Sequence, residues 1–304
     1  MATITNNNIN ISYTIDEFIN YKEVNTMLPC NIKPFCNEMG GSLMFRDGML
    51  KECGNIIDSF LNGKNPNDII FKNNIIESLN KITQKNYIQI LDNLKKLAYI
   101  KAEHFTTLAS EIIMRAMTDS IAVKGIELPK GQQSLSDIYI LIVIDFFPLL
   151  IKENDKEVKF STILLDICRK YFDDFSNPLN LLDSNNAYRV DNYKGFTNFL
   201  GLLYEKNLLN QKIVSRCLSK IKELVFHSTW EQAESENAYD GYKKIITHCI
   251  NKFETITITE NERQFIKELL QHQQDVRTLN KAQNKLRRFT MMYHDELDKR
   301  LSKF

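Results

Sequence analysis

The sequence predicts an all-α protein, an α-solenoid of about five antiparallel helical hairpins that follows a partly extended N-terminal arm. Two observations lead to this fold class. From Asn65 onward, apolar residues recur at helical spacing through most of the chain. The 304 residues also include only 6 prolines and 10 glycines, so few positions interrupt a helix.

The predicted helices form consecutive pairs. The pairs recur on the order of every 40–47 residues, which is typical of HEAT-like repeats. One amphipathic pair cannot bury its apolar face alone, so stacking of neighbouring pairs supplies a continuous core. The predicted pairs are 66–81 with 85–98, 101–124 with 134–152, 157–175 with 191–205, 208–227 with 237–253, and 259–273 with 278–302.

Capping residues mark several of the predicted helix starts. Asn65-Pro66 has the pattern of an N-cap followed by proline at the first helical position. In a capping box, a small polar side chain and an acidic side chain three residues later satisfy each other's backbone N–H groups. That spacing occurs for Ser134 with Asp137, Ser228 with Glu231, and Thr259 with Glu262.

Residues 1–64 form the predicted arm, and residues 65–304 form the helical domain. The arm is rich in asparagine and contains Pro29, Pro34 and the pair Gly40-Gly41, a composition that favours extended chain. Two short helices are predicted within it, at residues 16–21 and 49–61.

The composition indicates an ordinary soluble protein, with 43% hydrophobic and 25% charged residues. The formal net charge of +1 excludes strong global attraction to nucleic acid but allows a local basic face. The longest apolar run, residues 138–151, contains Asp145 and Pro148 and predicts a buried helix instead of a membrane span. The first residues lack the pattern of a signal peptide.

The cysteines point to a reducing compartment. The six cysteines form no CxxC pair, and three of them fall on apolar helix faces. We therefore expect buried free thiols in a cytoplasmic protein. These three are Cys168, Cys217 and Cys249.

The sequence contains no recognisable catalytic or metal-binding motif, so we expect no enzyme activity, no cofactor and no metal. Phosphate-binding loops, nucleophile elbows and zinc-protease motifs are all absent. Adjacent carboxylates on a helix do not converge on one substrate, so such pairs predict solvated surface. The same interpretation applies to two pairs with histidine, Glu103-His104 and His294-Asp295.

Three stretches resemble one family in its own order along the chain. Residues 79–87 read Leu-Asn-Lys-Ile-Thr-Gln-Lys-Asn-Tyr, similar to the motif LNKLTPxNF. Residues 196–209 resemble the helix motif GNxxFIGELYxxxxL, and residues 286–297 resemble the closing motif RxRFMxxDxxxLR. The family is the middle domain of eukaryotic translation initiation factor 4 gamma. Gln84, Tyr87 and Leu202 depart from its pattern, which has proline, phenylalanine and glutamate there.

The resemblance covers roughly residues 66–300 and implies a scaffold for translation initiation, with a compact, divergent version of viral or protist origin as the expected form. In this family the domain binds a DEAD-box RNA helicase of the initiation factor 4A type and holds its two lobes near a closed arrangement. Carried over by motif, Leu79, Ile82 and Tyr87 would contact one helicase lobe, and Arg287, Arg288 and Phe289 the other. The alternative for the first three residues is ordinary core.

The arm contains a second motif of this kind. Residues 13–19, Tyr-Thr-Ile-Asp-Glu-Phe-Ile, resemble the peptide by which such scaffolds bind the cap-binding protein, of the initiation factor 4E type. As a short helix, the segment would place Tyr13, Phe18 and Ile19 on one side for a partner groove. Phe18 stands where the motif has leucine.

Basic residues late in the chain form a candidate contact with mRNA. Lys281, Lys285 and Arg300 are three of them, and contacts of this kind with phosphates would not depend on nucleotide sequence. The alternative is a solvated helix face in which nearby acidic residues balance the charge.

For the whole chain, the alternative function is a related helical scaffold in mRNA decay, splicing or nuclear cap binding.

Overall fold

The computed structural model describes residues 2–6, 9–13, 66–119, 124, 132–178 and 187–304. Contacts divide the chain into two units, Met1–Ile69 and Ile70–Phe304. The segments predicted as short helices in the arm lie outside the described residues, as do Phe18 and Ile19 of the predicted cap-binding peptide. Before residue 66 the described segments are two antiparallel strands, in which Ala2 pairs with Tyr13; they are β1 (Ala2–Asn6) and β2 (Ile9–Tyr13).

The predicted all-α class is confirmed, because helices make up most of the described chain; the arrangement as five stacked hairpins stays a prediction. Among the described residues, none of these helices combines the length and apolar character that crossing a membrane requires. The first five helices are α1 (Pro66–Asn80), α2 (Tyr87–Lys95), α3 (Ala102–Met117), α4 (Leu135–Phe146) and α5 (Phe160–Phe175). They are followed by α6 (Ala187–Glu205), α7 (Gln211–Val225), α8 (Gln232–Thr255), α9 (Glu260–Gln283) and α10 (Arg288–Leu301).

Two of the three predicted capping boxes are present. At the start of α4, the Ser134 hydroxyl accepts the backbone N–H of Asp137 at 3.1 Å, and the Asp137 carboxylate accepts the N–H of Ser134 at 2.9 Å. Thr259 and Glu262 open α9 in the same way. Each box satisfies N–H groups that a helix start otherwise leaves without partners.

The third predicted capping box, Ser228 with Glu231, is wrong. The N-cap of α8 is Glu231, which forms a box with Glu234, so the helix begins later than Ser228 would allow. The residues before it form a turn instead, in which the backbone N–H of Trp230 donates to the His227 carbonyl at 3.2 Å, and the Trp230 side chain is buried. The Trp230 carbonyl also accepts a hydrogen bond from Lys285 Nζ, in the segment between α9 and α10.

A β-hairpin joins two of the predicted helices: it replaces the last residues of the helix predicted at 134–152 and the first residues of the helix predicted at 157–175. The chain leaves α4 at Phe146 and forms β3 (Leu150–Glu153) and β4 (Lys156–Lys159), which pair antiparallel. The turn residues Asn154 and Asp155 both have positive φ, 50° and 62°. Two such residues match the right-handed twist of a hairpin, and asparagine and aspartate tolerate that conformation.

The core of the second unit runs along successive helices. Helix α3 packs against α5 and α6, α6 against α8, and α8 against α7 and α10. Phe160 on α5 meets Phe105 on α3 at 5.5 Å between ring centroids and Phe146 on α4 at 5.8 Å. Fully burying one such side chain contributes about 2–3 kcal/mol, so this cluster strongly favours the contact among the three helices.

Helices α3 and α6 approach so closely that only glycine fits at the contact. A Cβ on Gly195 would overlap the backbone carbonyl group of Met117. Backbone atoms cannot yield as a flexible side chain can, so Gly195 sets the distance between these helices.

Candidate protein-binding surfaces

The start of α10 exposes a group of apolar side chains. Phe289 is 66% exposed, Met292 61% and Tyr293 43%, and the rings of Phe289 and Tyr293 meet edge to face at 4.9 Å between centroids. The side chains of Arg287 and Arg288 are also exposed. We call these five residues the α10 surface. A cluster of exposed apolar and aromatic side chains beside arginine is the composition found at protein interfaces.

A glutamate on another helix holds the start of α10. The N-cap, Arg287, provides no side-chain cap of its own. Instead, the Glu236 carboxylate on α8 accepts the backbone N–H of Arg287 at 3.0 Å and the hydroxyl of Thr290 at 2.9 Å. Its second oxygen lies 3.2 Å from Arg287 Nε. A carboxylate at a helix N-terminus is also favoured by the helix dipole, and we call this set of contacts the Glu236 clasp.

A cleft of about 310 Å³ lies between α8 and α10, beside this surface. Phe289 and Tyr293 line one side of it, and Lys243 from α8 places its ammonium 4.9 Å from the centre of the Tyr293 ring. Asp240 pairs with Lys194 at 2.9 Å. The charges along the cleft therefore have partners within the protein, and the exposed aromatic rings remain as its main apolar contact area.

A buried histidine on α10 anchors this helix to α8 and α9. His294 is fully buried; its Nδ1 lies 3.0 Å from the hydroxyl of Tyr239 on α8, and its Nε2 lies 3.0 Å from the carbonyl oxygen of Gln273 on α9. These contacts fit the neutral tautomer in which Nε2–H donates to the carbonyl. Burial lowers the pKa of His294, although the bond to Gln273 acts in the opposite direction.

The interpretation of the two histidine pairs as solvated surface is wrong for the histidines. His294 is fully buried and His104 is 5% exposed, stacked on the Phe71 ring at 3.8 Å between centroids. Both acidic neighbours fit the expectation: Glu103 and Asp295 are exposed, and Asp295 pairs with Arg277 at 2.8 Å. Adjacent residues on a helix point in different directions, which is why one is core and the other is surface.

Two of the three predicted contact residues of the first resemblance motif lie in the core. Leu79 is 1% exposed and Ile82 is 6% exposed, whereas Tyr87 is half-buried against the core. Leu79 and Ile82 line a second cleft of about 310 Å³, together with Leu135, which is 40% exposed. This cleft and the cleft beside α10 have no lining residue in common, so the predicted helicase-binding residues fall into two separate groups.

The candidate RNA-binding residues are partly occupied by contacts within the protein. Lys281 is exposed. Lys285 donates to the Trp230 carbonyl, and Arg300 pairs with Glu254 at 3.0 Å. Pairing of this kind reduces the charge available to phosphates, but whether RNA binds here stays a prediction.

Neither a candidate metal site nor a readily ionised thiol is found among the described residues. Across these residues, no three His, Cys, Asp or Glu side chains come together as a metal site would require. The thiols of Cys168, Cys217 and Cys249 are buried and free, as predicted. Burial raises the pKa of Cys168 and of Cys217 to about 12, so neither thiol ionises near neutral pH.

Sequence reasoning missed Glu236 and Tyr239, which hold α10 in place. Each acts across more than 50 positions of sequence, on Arg287 and His294 respectively, and no local pattern marks such a pair. No protein-family model matches this chain, and no curated protein matches it significantly.

Proposed function

We propose that this chain is a non-enzymatic scaffold of translation initiation that docks a DEAD-box RNA helicase of the initiation factor 4A type. One observation carries the proposal: the motif residues Arg287, Arg288 and Phe289 are all exposed, and Phe289 is the most exposed large apolar side chain in the described structure. An aromatic side chain that is two-thirds exposed to water is unfavourable in an isolated domain. A partner that covers the ring removes this unfavourable exposure.

The test uses a purified helicase of this type and Phe289→Ser. We expect at least about tenfold weaker binding and loss of any stimulation of RNA-dependent ATP hydrolysis, because an aromatic anchor at an interface carries much of its binding energy. The matched control is Ile100→Ser, because Ile100 is 62% exposed and lies outside the α10 surface. Equal loss in both variants, or no binding by the unaltered protein, would contradict the proposal and favour a related scaffold in mRNA decay, splicing or nuclear cap binding.

The second predicted contact requires a different variant. Leu79 and Ile82 are buried, so an acidic residue at either position would destabilise the domain, and a loss of binding could not be assigned to a lost contact. Leu135 lines the same cleft and is exposed. If the helicase covers this cleft, Leu135→Ser weakens binding while the folded state persists; unchanged affinity would confine docking to the α10 surface.

The remaining partners are proposed on the resemblance alone. Tyr13 would contact a cap-binding protein of the initiation factor 4E type together with Phe18 and Ile19, in the cytoplasm. Tyr13→Ala is the variant that tests this contact, with binding of the purified cap-binding protein as the measurement. Binding that the substitution leaves unchanged would remove the cap-binding peptide from the proposal.

A further inference from the structure

Thr290 lies within a sequence that fits an acceptor site for phosphorylation. It follows Arg287, Arg288 and Phe289, so two arginines precede the hydroxyl by three and two residues. Many protein kinases select their substrates by such charge patterns, because acidic side chains in the kinase groove pair with basic ones in the substrate. We propose that Thr290 is phosphorylated by a kinase that selects arginine at these two positions, and that the phosphate controls the α10 surface.

A second segment of α10 has a similar pattern and serves as an internal comparison. Ser302 follows Lys299, Arg300 and Leu301, so two basic residues again precede the hydroxyl by three and two positions. Charge alone therefore does not distinguish the two hydroxyls. The structure distinguishes them by what must move before a kinase can bind.

Opening the helix costs less at Thr290 than at Ser302. A kinase binds the acceptor segment in extended form, so the adjoining helical turn has to open first. At Thr290 the preceding side chain is Phe289, already 66% exposed, and the following one, Met291, is only partly buried; opening breaks the Glu236 clasp and the first turn. At Ser302 the preceding side chain is Leu301, which is fully buried and would have to leave the core.

The transfer itself is ordinary phosphoryl chemistry with ATP as the donor. The Thr290 oxygen forms a bond to the γ-phosphorus while the bond from that phosphorus to the bridging oxygen breaks, and ADP leaves. The hydroxyl proton passes to the carboxylate base of the kinase.

The phosphate would break the Glu236 clasp. It adds a charge of about −1.5 to −2 where the Thr290 hydroxyl now donates to the Glu236 carboxylate at 2.9 Å. Two anions cannot share that position, whereas Arg287 pairs well with a phosphate. Arg287 therefore turns from Glu236 to the phosphate, and the first turn of α10, which carries Phe289, is rearranged. The effect on docking rests on the proposed function, but the modification does not.

The experiment treats the folded full-length chain with ATP and the catalytic domain of an arginine-selecting serine/threonine kinase. Mass spectrometry of peptides then gives the initial rate of phosphate incorporation at each hydroxyl. We expect Thr290 to react at least about fivefold faster than Ser302, since local opening that exposes no fully buried side chain is the more populated state. Thr290→Val should remove most of the incorporated phosphate, and Ser302→Ala should remove little.

No phosphate at Thr290, or faster reaction at Ser302, would overturn the proposal. A second measurement separates it from the proposed function. Helicase binding is compared between phosphorylated protein and the same sample after phosphatase treatment, and we expect at least about tenfold weaker binding for the phosphorylated form. Phosphate at Thr290 with unchanged helicase binding would retain the modification site and overturn its control of docking. No helicase binding in either sample would contradict the proposed function instead.

Discussion

The two groups of predicted helicase-binding residues have opposite environments. Leu79 and Ile82 are buried in the core, whereas Phe289 is exposed at the start of α10. All three residues occupy apolar positions of motifs that resemble the same family. A buried motif residue such as Leu79 therefore supports the fold, whereas an exposed one such as Phe289 is available for binding. The exposed fraction of the side chain distinguishes the two roles.

The largest expected effect is a loss of stability from a substitution in the buried group. Leu79→Asp places a carboxylate where the side chain is 1% exposed, so we expect a loss of about 3–5 kcal/mol in the free energy of unfolding. Urea unfolding followed by circular dichroism measures it. A loss below about 1 kcal/mol would mean that Leu79 belongs to an adaptable surface and that the contrast with Phe289 is not real.

A second change tests whether the core is rigid between α3 and α6. Gly195→Ala places a methyl group onto the Met117 carbonyl, so the helices must separate, and we expect a loss of about 2 kcal/mol or more. Gly201→Ala is the matched control on the same helix. Its added carbon meets the His248 side chain, which is bonded to Glu205 and Asn198. These side-chain bonds yield more easily than the backbone does, so we expect a smaller loss. Equal losses would show that backbone proximity does not limit this contact.

The third prediction concerns pH and the anchoring of α10. In the unfolded chain His294 has an ordinary pKa near 6.5, and burial lowers it in the folded state. The unfolded chain then binds the proton more readily, so the stability contribution is complete above about pH 6.5 and is lost as pH falls below it. Arg277 on α9 favours the neutral form further, whereas Asp295 and Asp298 on α10 oppose it.

Urea unfolding of the unaltered protein and His294→Gln, at steps from pH 7.5 to 5, measures this contribution. We expect a weaker pH dependence in the variant. His272 titrates in the same direction, because burial also lowers its pKa, but it is present in both proteins. If the free energy of unfolding has the same pH dependence in both proteins, His294 does not contribute to the pH-dependent stability of α10.

The smallest effect on stability is expected on the α10 surface itself. Phe289→Ser should change the free energy of unfolding by no more than about 0.5 kcal/mol, because the ring is already largely in water. The same variant should lose helicase binding. A loss of stability near that of Leu79→Asp would show that the ring supports the fold, and its effect on binding could then not be assigned to contact.

Local features were the most predictable part of this fold. The capping boxes at Ser134 and Thr259 lie within four residues, and the structure contains both. The hairpin after α4 also had a local signal, because Asn154-Asp155 is a turn pair between residues that can form strands, but the apolar run before it favoured a helix. The prediction of helix up to residue 152 was wrong because these two local signals compete.

The candidate site was predictable in part. Its motif residues were named from the sequence, but helical spacing does not show whether an apolar face is covered, so the different exposures of Leu79 and Phe289 needed the structure. The Glu236 clasp depends on residues about 50 positions apart. Such pairs follow from the packing of α8 against α10 and leave no pattern in either segment.

The buried Trp230 makes the protein convenient to study by fluorescence. It is the only tryptophan in the chain, and its carbonyl bonds to Lys285 beside the start of α10. Its emission therefore reports on one end of the second unit, whereas circular dichroism averages over all the helices. If the two signals change together during unfolding, that end and the rest of the domain form one cooperative unit. An earlier shift in emission would identify the α8–α10 end as a separately opening segment, the property that a regulated docking surface requires.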